Sequence, residues 1–293
     1  MSATEGCVGI VGIGLIGGSL AKAYHAAGWR VLGCDTDADT LAIALIDTID
    51  GVLRPSAFAE CDLIILAAYP KACVEWLELH ADALGSLGAG SPIVMDTAGV
   101  KEGICQSCFE LASAAGFPFC GAHPMAGTEH SGFAWSSADL FRGAPMVLVP
   151  PALPDIERLE LLDRLHTLLA PVGFGRFSVT TPQEHDRVIA FTSQLAHVVS
   201  NAYVKSPTAR THHGFSAGSY RDLTRVAKLN PEMWSELMVE DASFLAAELD
   251  HLIGSLGEYR DALVQRDEGR LRELLDEGDR IKREIDDQPR PRR

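Results

Sequence analysis

The chain has 293 residues, 47% of them hydrophobic and 22% charged, with a formal net charge of -15. That composition supplies apolar material for a full core, and that excess of acid argues against nucleic acid or an anionic membrane as partner. No apolar run approaches the ~20 residues that span a bilayer, and no basic leader precedes the first apolar run, so a cytoplasmic protein is expected.

In the first half, short β-rich runs alternate with helical patterns. CVGIVG reads as a strand and LIGGSLAKAYHAAG as a helix closed by Gly28. WRVLGCD is a strand, DADTLAIALIDTI a helix, and DLIILAA a strand apolar at nearly every position, as in the middle of a parallel sheet. PKACVEWLELHADAL opens on Pro70 as a helix, and SPIVMD is the next strand. KEGICQSCFELASAAG is a helix ending at Gly116, followed by the strand FPFCGA. APMVLVP, the helix DIERLELLDRLHTLLAPVG and the strand GRFSVTT complete this half. Such alternation predicts an α/β, doubly wound parallel sheet over residues 1–180.

From Thr181-Pro182 onward only helical patterns appear, which predicts an all-α domain over residues 181–293. PQEHDRVIAFTSQLAHVVSNAYVKS reads as one helix and YRDLTRVAKL as a short one. A long helix starts at Asn230 as N-cap with Pro231 in its first turn, and a break is expected near Gly254 or Gly257. Its many apolar residues exceed what a small domain buries, so homodimerisation through this half is expected. DEGRLRELLDEGDRIKREIDD is a final charged helix.

The turn Gly12-Ile13-Gly14-Leu15-Ile16-Gly17 follows a strand and opens a helix. In this context the G-x-G-x-x-G pattern marks a dinucleotide cradle, with pyrophosphate against the helix N-terminus. Asp35, at the end of the second strand, suits the ribose hydroxyls and repels a 2'-phosphate, so NAD is the expected cofactor. Ligands in such Rossmann-type sheets lie beyond the carboxyl ends of the strands, which brings Ala68 and Thr97 to the same edge. The cofactor-binding set is therefore Gly12, Gly14, Leu15, Ile16, Gly17, Asp35, Ala68 and Thr97.

FCGAHPMAGTEHSG, residues 119–132, opens at that edge as well. A dehydrogenase of alcohols needs an acceptor for the hydroxyl proton, and a neutral histidine suits that role near pH 7. His123, held by Pro124, is the candidate catalytic group. In the helical half, His197 interrupts an apolar helix and shares a polar stripe with Ser193, Gln194, Asn201 and Asp186. Such a stripe faces either solvent or a site. Adjacent His212 and His213 do not converge on one ion, and no metal is expected.

GIGLIGGSLAKAY, MDTAGVK, GAHPMAGTEHSG, EHDRVIAFTSQLAH and YRDLTRVAKLNPEMW, in this order, resemble the prephenate/arogenate dehydrogenase family of tyrosine biosynthesis. The resemblance runs from about Val8 to Trp234. It implies an NAD-dependent oxidative decarboxylation of a cyclohexadienol, prephenate or arogenate, yielding an aromatic ring. By the same resemblance His123 hydrogen-bonds the substrate hydroxyl, and Arg225 holds a carboxylate, with Asp222 able to orient it. His197 contacts substrate, which favours prephenate; Thr128 and Glu129 flank the site entrance. Ser193, on the His197 stripe, joins this substrate-binding set. His185-Asp186 reads as structural support, and Lys101 as a partner for a phosphate or carboxylate. The family often has serine where this chain has Gly99. Two other readings compete: a 3-hydroxyacid or 6-phosphogluconate type dehydrogenase, which would need a lysine near position 197, and an NAD sensor without turnover, which would not need His123, His197 and Arg225 together.

Overall fold

A computed structural model describes residues 6–128, 130–212, 215 and 217–287. Its centre is an eight-stranded sheet in the order β3-β2-β1-β4-β5-β6-β7-β8. The strands are β1 (Cys7–Val11), β2 (Arg30–Cys34), β3 (Gly51–Val52), β4 (Leu63–Leu66), β5 (Ile93–Asp96), β6 (Phe119–Pro124), β7 (Pro145–Val149) and β8 (Arg176–Val179). All seven strands expected from the pattern are present, and the two-residue β3 is added at the edge. Every neighbouring pair is parallel except β6 and β7, which run antiparallel with His123 opposite Val147. The sheet is therefore mostly parallel rather than wholly so. The reason lies between β6 and β7, where the described residues form only the short 3-10 turn Phe133–Trp135 and no crossover helix. Without a crossover, the next strand returns in the opposite direction.

Helices cover both faces. They are α1 (Leu15–Ala26), α2 (Ala38–Asp47), α3 (Pro70–Gly85), α4 (Glu102–Ala115) and α5 (Asp155–Leu169). On one face α1 and α5 bury Leu20, Tyr24, Leu165 and Leu169 against Val8, Ile10 and Ile65. On the other, α3 and α4 bury Cys73, Leu77, Ile104 and Cys108 against Val11, Ile64 and Leu66. β1, β4 and β5 are buried along their whole length, which is why their sequences run apolar rather than alternating, Asp96 at the end of β5 excepted.

Beyond β8 the described residues form helices α6 (Pro182–Ile189), α7 (Ala196–Tyr203), α8 (Gly218–Thr224), α9 (Pro231–Glu240), α10 (Ala242–Gln265) and α11 (Glu268–Asp287). Thr181 caps α6, its Oγ1 accepting from Glu184 N at 3.3 Å. Asn230 caps α9, its Oδ1 accepting from Glu232 N and Met233 N. α6 and α7 form one continuous helical run, but a π-helical segment, Ala190–Leu195, joins them. The expected break at Gly254 or Gly257 does not occur: both lie inside α10, and the long helix breaks instead at Asp241. Glycine lowers helix propensity by only about 1 kcal/mol, too little to end a well-packed helix by itself. No helix among the described residues is long and apolar enough to cross a membrane.

Candidate active site

The first wall of the site is the turn between β1 and α1. Gly12 has φ +86°, and a Cβ there would lie 2.7 Å from the Ala67 carbonyl oxygen and 3.3 Å from Ala68 N. A Cβ on Gly17 would lie 1.8 Å from the Gly12 oxygen. Gly14 differs: nothing lies within 4 Å of its missing Cβ, so the backbone there is open to a ligand. α1 has no side-chain cap at its N-terminus, and Leu15 and Ile16 form its first turn. Asp35 braces the turn from the end of β2, its Oδ2 accepting from Ile13 N at 2.6 Å and its Oδ1 from Asp37 N at 2.8 Å. A carboxylate has lone pairs left for ribose hydroxyls after both bonds. Ala68 and Thr97 follow the ends of β4 and β5, and Thr97 Oγ1 donates to Leu66 O at 3.3 Å. An open glycine backbone, an uncapped helix start and a strand-end acid fit a dinucleotide.

His123 stands near the end of β6, three strands from β1 in the sheet order. Its Nδ1 lies 3.0 Å from His185 Nε2, and His185 Nδ1 lies 2.6 Å from Asp186 Oδ1. Asp186 also accepts from the backbone N–H groups of Lys101 and Glu102, both at 2.7 Å, and so closes the N-terminus of α4. The Lys101 ammonium is fully buried and pairs with the equally buried Asp96. Asp96 further accepts from Ala98 N at 2.8 Å and Ala122 N at 3.1 Å, tying β5 to β6 next to His123. Burial, then the neighbouring His185 and Lys101, hold the His123 imidazole well below its ordinary pKa. It is therefore neutral at pH 7 and able to accept a proton.

The second wall comes from the helical half. His197 Nδ1 lies 3.0 Å from Val226 O, and its ring packs on Trp234 of α9 with centroids 4.1 Å apart. Ser200 Oγ and Asn201 Nδ2 donate to Leu223 O and Ala227 O. The polar stripe on α7 thus serves the carbonyls at and beyond the C-terminus of α8, which have no helical partner of their own. One turn along α9 from Trp234, Leu237 faces Gly99: a Cβ on Gly99 would sit 3.6 Å from its Cδ1. α9 therefore joins the His197 region to the loop after β5.

Other sequence candidates stand apart from these contacts. Arg225, at the end of α8, is exposed, and neither it nor Asp222 forms an ion pair among the described residues, so Asp222 does not orient it as expected. Ser193 is half-buried in the π segment. Thr128 is exposed and its Oγ1 accepts from His130 N at 3.3 Å. Glu129 and His213 lie outside the described residues. The sequence brings Asp96 to the ligand edge of the sheet without assigning it a role, and gives no sign of Trp234 as a site residue or of the contact between His185 and His123. Asp96 had a readable signal, being a carboxylate at the end of a buried apolar strand five residues before a lysine.

Two family models match the chain. The prephenate dehydrogenase nucleotide-binding domain matches residues 20–173, and the prephenate dehydrogenase dimerization domain matches residues 181–277. The chain belongs to the prephenate dehydrogenase family. The first match begins beyond the glycine turn, so the turn is an independent observation. A cyclohexadienyl dehydrogenase of Zymomonas mobilis is 29% identical, with 94% of each chain covered. Prephenate dehydrogenase from Aquifex aeolicus, solved with hydroxyphenyl propionate and NAD+, superposes with a TM-score of 0.76 at 27% identity, covering 97% of this chain and 100% of that one. Arogenate dehydrogenase from Synechocystis superposes with a TM-score of 0.75 at 28% identity, covering 94% of this chain and 99% of that one. The first of the two matched domains is a nucleotide-binding one.

Proposed function

We propose that this protein is an NAD-dependent prephenate dehydrogenase of tyrosine biosynthesis, acting in the cytoplasm as a homodimer joined through its helical half. The observation that carries the reading is a neutral, half-buried His123 near the end of β6, backed by a second histidine at 3.0 Å. NAD, when bound, supplies the acceptor for hydride from the ring carbon that bears the hydroxyl. His123 takes the hydroxyl proton as that carbon becomes a carbonyl. It returns the proton to the same oxygen once the ring carboxylate has left as carbon dioxide and the ring is aromatic. Gly12, Gly14, Leu15, Ile16 and Gly17 hold the pyrophosphate, Asp35 the ribose, and Ala68 and Thr97 border the nicotinamide end.

Arg225, exposed and without an ion-pair partner among the described residues, is the cation for a substrate carboxylate, held bidentately. His197 contacts the substrate side chain, with Ser193, Thr128 and Glu129 at the margin. With Nδ1 committed to Val226 O, His197 keeps Nε2 available. The presence of His197, which the resemblance sets against the substrate side chain, supports prephenate over arogenate. Steady-state formation of NADH with prephenate, arogenate and 3-hydroxyacids tests this. The expected order is prephenate first, with His123→Asn inactive and Arg225→Met raising KM by about 10- to 100-fold, the worth of a charge-assisted hydrogen bond. Preferred turnover of arogenate would overturn the substrate choice. Turnover of 3-hydroxyacids alone, or an active His123→Asn, would overturn the reaction.

A further inference from the structure

The contacts behind His123 admit one consistent assignment of protons. Asp186 faces three N–H donors: the backbone amides of Lys101 and Glu102 and the Nδ1 edge of His185. Backbone amides only donate, so Asp186 is the acceptor throughout, and His185 carries its proton on Nδ1. In neutral His185 the bare nitrogen is then Nε2, which lies 3.0 Å from His123 Nδ1. His123 must therefore donate from Nδ1, which leaves its Nε2 bare. An imidazole on β6 gains a fixed tautomer from a helix 62 residues away in sequence.

From this we propose that His185 and Asp186 are positioning residues that fix the tautomer of His123 and store its proton during turnover. The inference rests on the role of His123 proposed above. The substrate hydroxyl gives its proton to His123 Nε2, and the Nδ1 proton of His123 passes to His185 Nε2. His185 is then an imidazolium against the Asp186 carboxylate. The two transfers reverse when the phenolic oxygen is reprotonated, so no proton is gained or lost over the cycle. The charged surroundings suit this traffic. The Lys101 ammonium is countered by Asp96, and Glu102, Glu240 and Asp241 add negative charge around Asp186. Burial and Lys101 both oppose a cation held on His123 itself.

Nitrogen-15 NMR of the labelled histidines in the NAD complex reads the tautomer without turnover. The expected result is His123 protonated at Nδ1 and bare at Nε2 near pH 7, with both tautomers populated in His185→Ala. Kinetics then separate the two functions. The His185→Gln variant keeps an acceptor for His123 but stores no proton, and kcat is expected to fall about tenfold. His185→Ala removes both, and kcat is expected to fall about a hundredfold or more. In both variants the affinity for NAD stays constant. The acid limb of kcat/KM shifts, because the ring 3.0 Å from His123 Nδ1 is gone. A wild-type His123 protonated at Nε2, or His185 variants with unchanged kcat and acid limb, would overturn the proposal. Equal loss of stability and NAD binding with an unmoved acid limb would also overturn it, by assigning His185 a purely structural part. If His123→Asn stays active while the tautomer is as stated, the proposed function fails instead.

Discussion

Asp241→Asn is expected to stabilise the protein, more strongly at pH 8 than at pH 5. Asp241 sits at the break between α9 and α10 and is 2% exposed. Among the described residues neither of its carboxylate oxygens has a hydrogen-bond partner, and the same holds for Oε1 of buried Gln194. Burial, then the charges of Asp186 and Glu102, push its pKa from 3.8 up to about 7, while the Gln194 amide opposes them weakly. The folded value lies above the unfolded one, so the folded chain binds the extra proton between pH 4 and 7. Stability is intact below the unfolded value and is lost as pH rises toward the folded one. At 1.36 kcal/mol per unit, a rise of about 3 units sets a ceiling of about 4 kcal/mol. Screening at a helix junction near the surface reduces this to about 1–2 kcal/mol. Asparagine keeps the shape, never ionises, and brings an N–H toward Gln194 Oε1. Urea denaturation at pH 8 should show a gain of about 1–2 kcal/mol for the variant, shrinking to well under half at pH 5. A variant no more stable than the wild type at pH 8, or a gain independent of pH, would refute the buried charge as the cause.

Substitutions at three further places probe the site and its supports. Gly17→Ala forces a Cβ to 1.8 Å from the Gly12 oxygen and should lower both thermal stability and NAD affinity, whereas Gly14→Ala, in open space, should leave stability alone and weaken only NAD binding by calorimetric titration. Normal NAD affinity in Gly14→Ala contradicts the cradle. Lys101→Met strands the Asp96 carboxylate in a dry interior and should cost about 3–5 kcal/mol in denaturant unfolding, most of it recovered when Asp96→Asn is added. Gly99→Ser meets nothing closer than 3.6 Å, so stability should stay within about 0.5 kcal/mol. Its hydroxyl should raise kcat about fivefold, the worth of one hydrogen bond near 1 kcal/mol; a fall in steady-state kcat counts against it.

The strands were legible because burial on both faces leaves a mark no other element shares. β4 is apolar at every position, since helices cover both of its sides. The direction of β7 left no such mark, because an apolar run reads alike both ways. It was nevertheless inferable from the absence of a helical pattern over residues 125–144, which removes the crossover that a parallel β7 needs. The break at Asp241 was less accessible. The glycines drew attention to Gly254 and Gly257, yet helix ends respond to packing as well as propensity, and packing is not written locally. The glycine turn and Asp35 were readable for the opposite reason: turn, helix start and strand-end acid are set by neighbours in sequence. The partner of His123 was not, because that contact joins β6 to α6 through tertiary structure alone.

The π segment explains why the polar residues of α6 and α7 do not share one face. Asp186 and His197 are 11 residues apart, close to three turns of an α-helix, so a regular helix sets both on one side. A wider turn at Ala190–Leu195 takes up an extra residue and rotates α7 relative to α6 by about 100°. That rotation divides the work of one helical run. Its first part aims His185 and Asp186 at β6 and α4, where they meet His123 and the N–H groups of Lys101 and Glu102. Its last part turns His197 to Trp234 and Val226, next to Arg225. A straight helix would have to give up one of these alignments, either the support of the proton acceptor or the face offered to the substrate. The irregular turn is therefore the local feature that lets a single element from the helical half serve both sides of the proposed reaction.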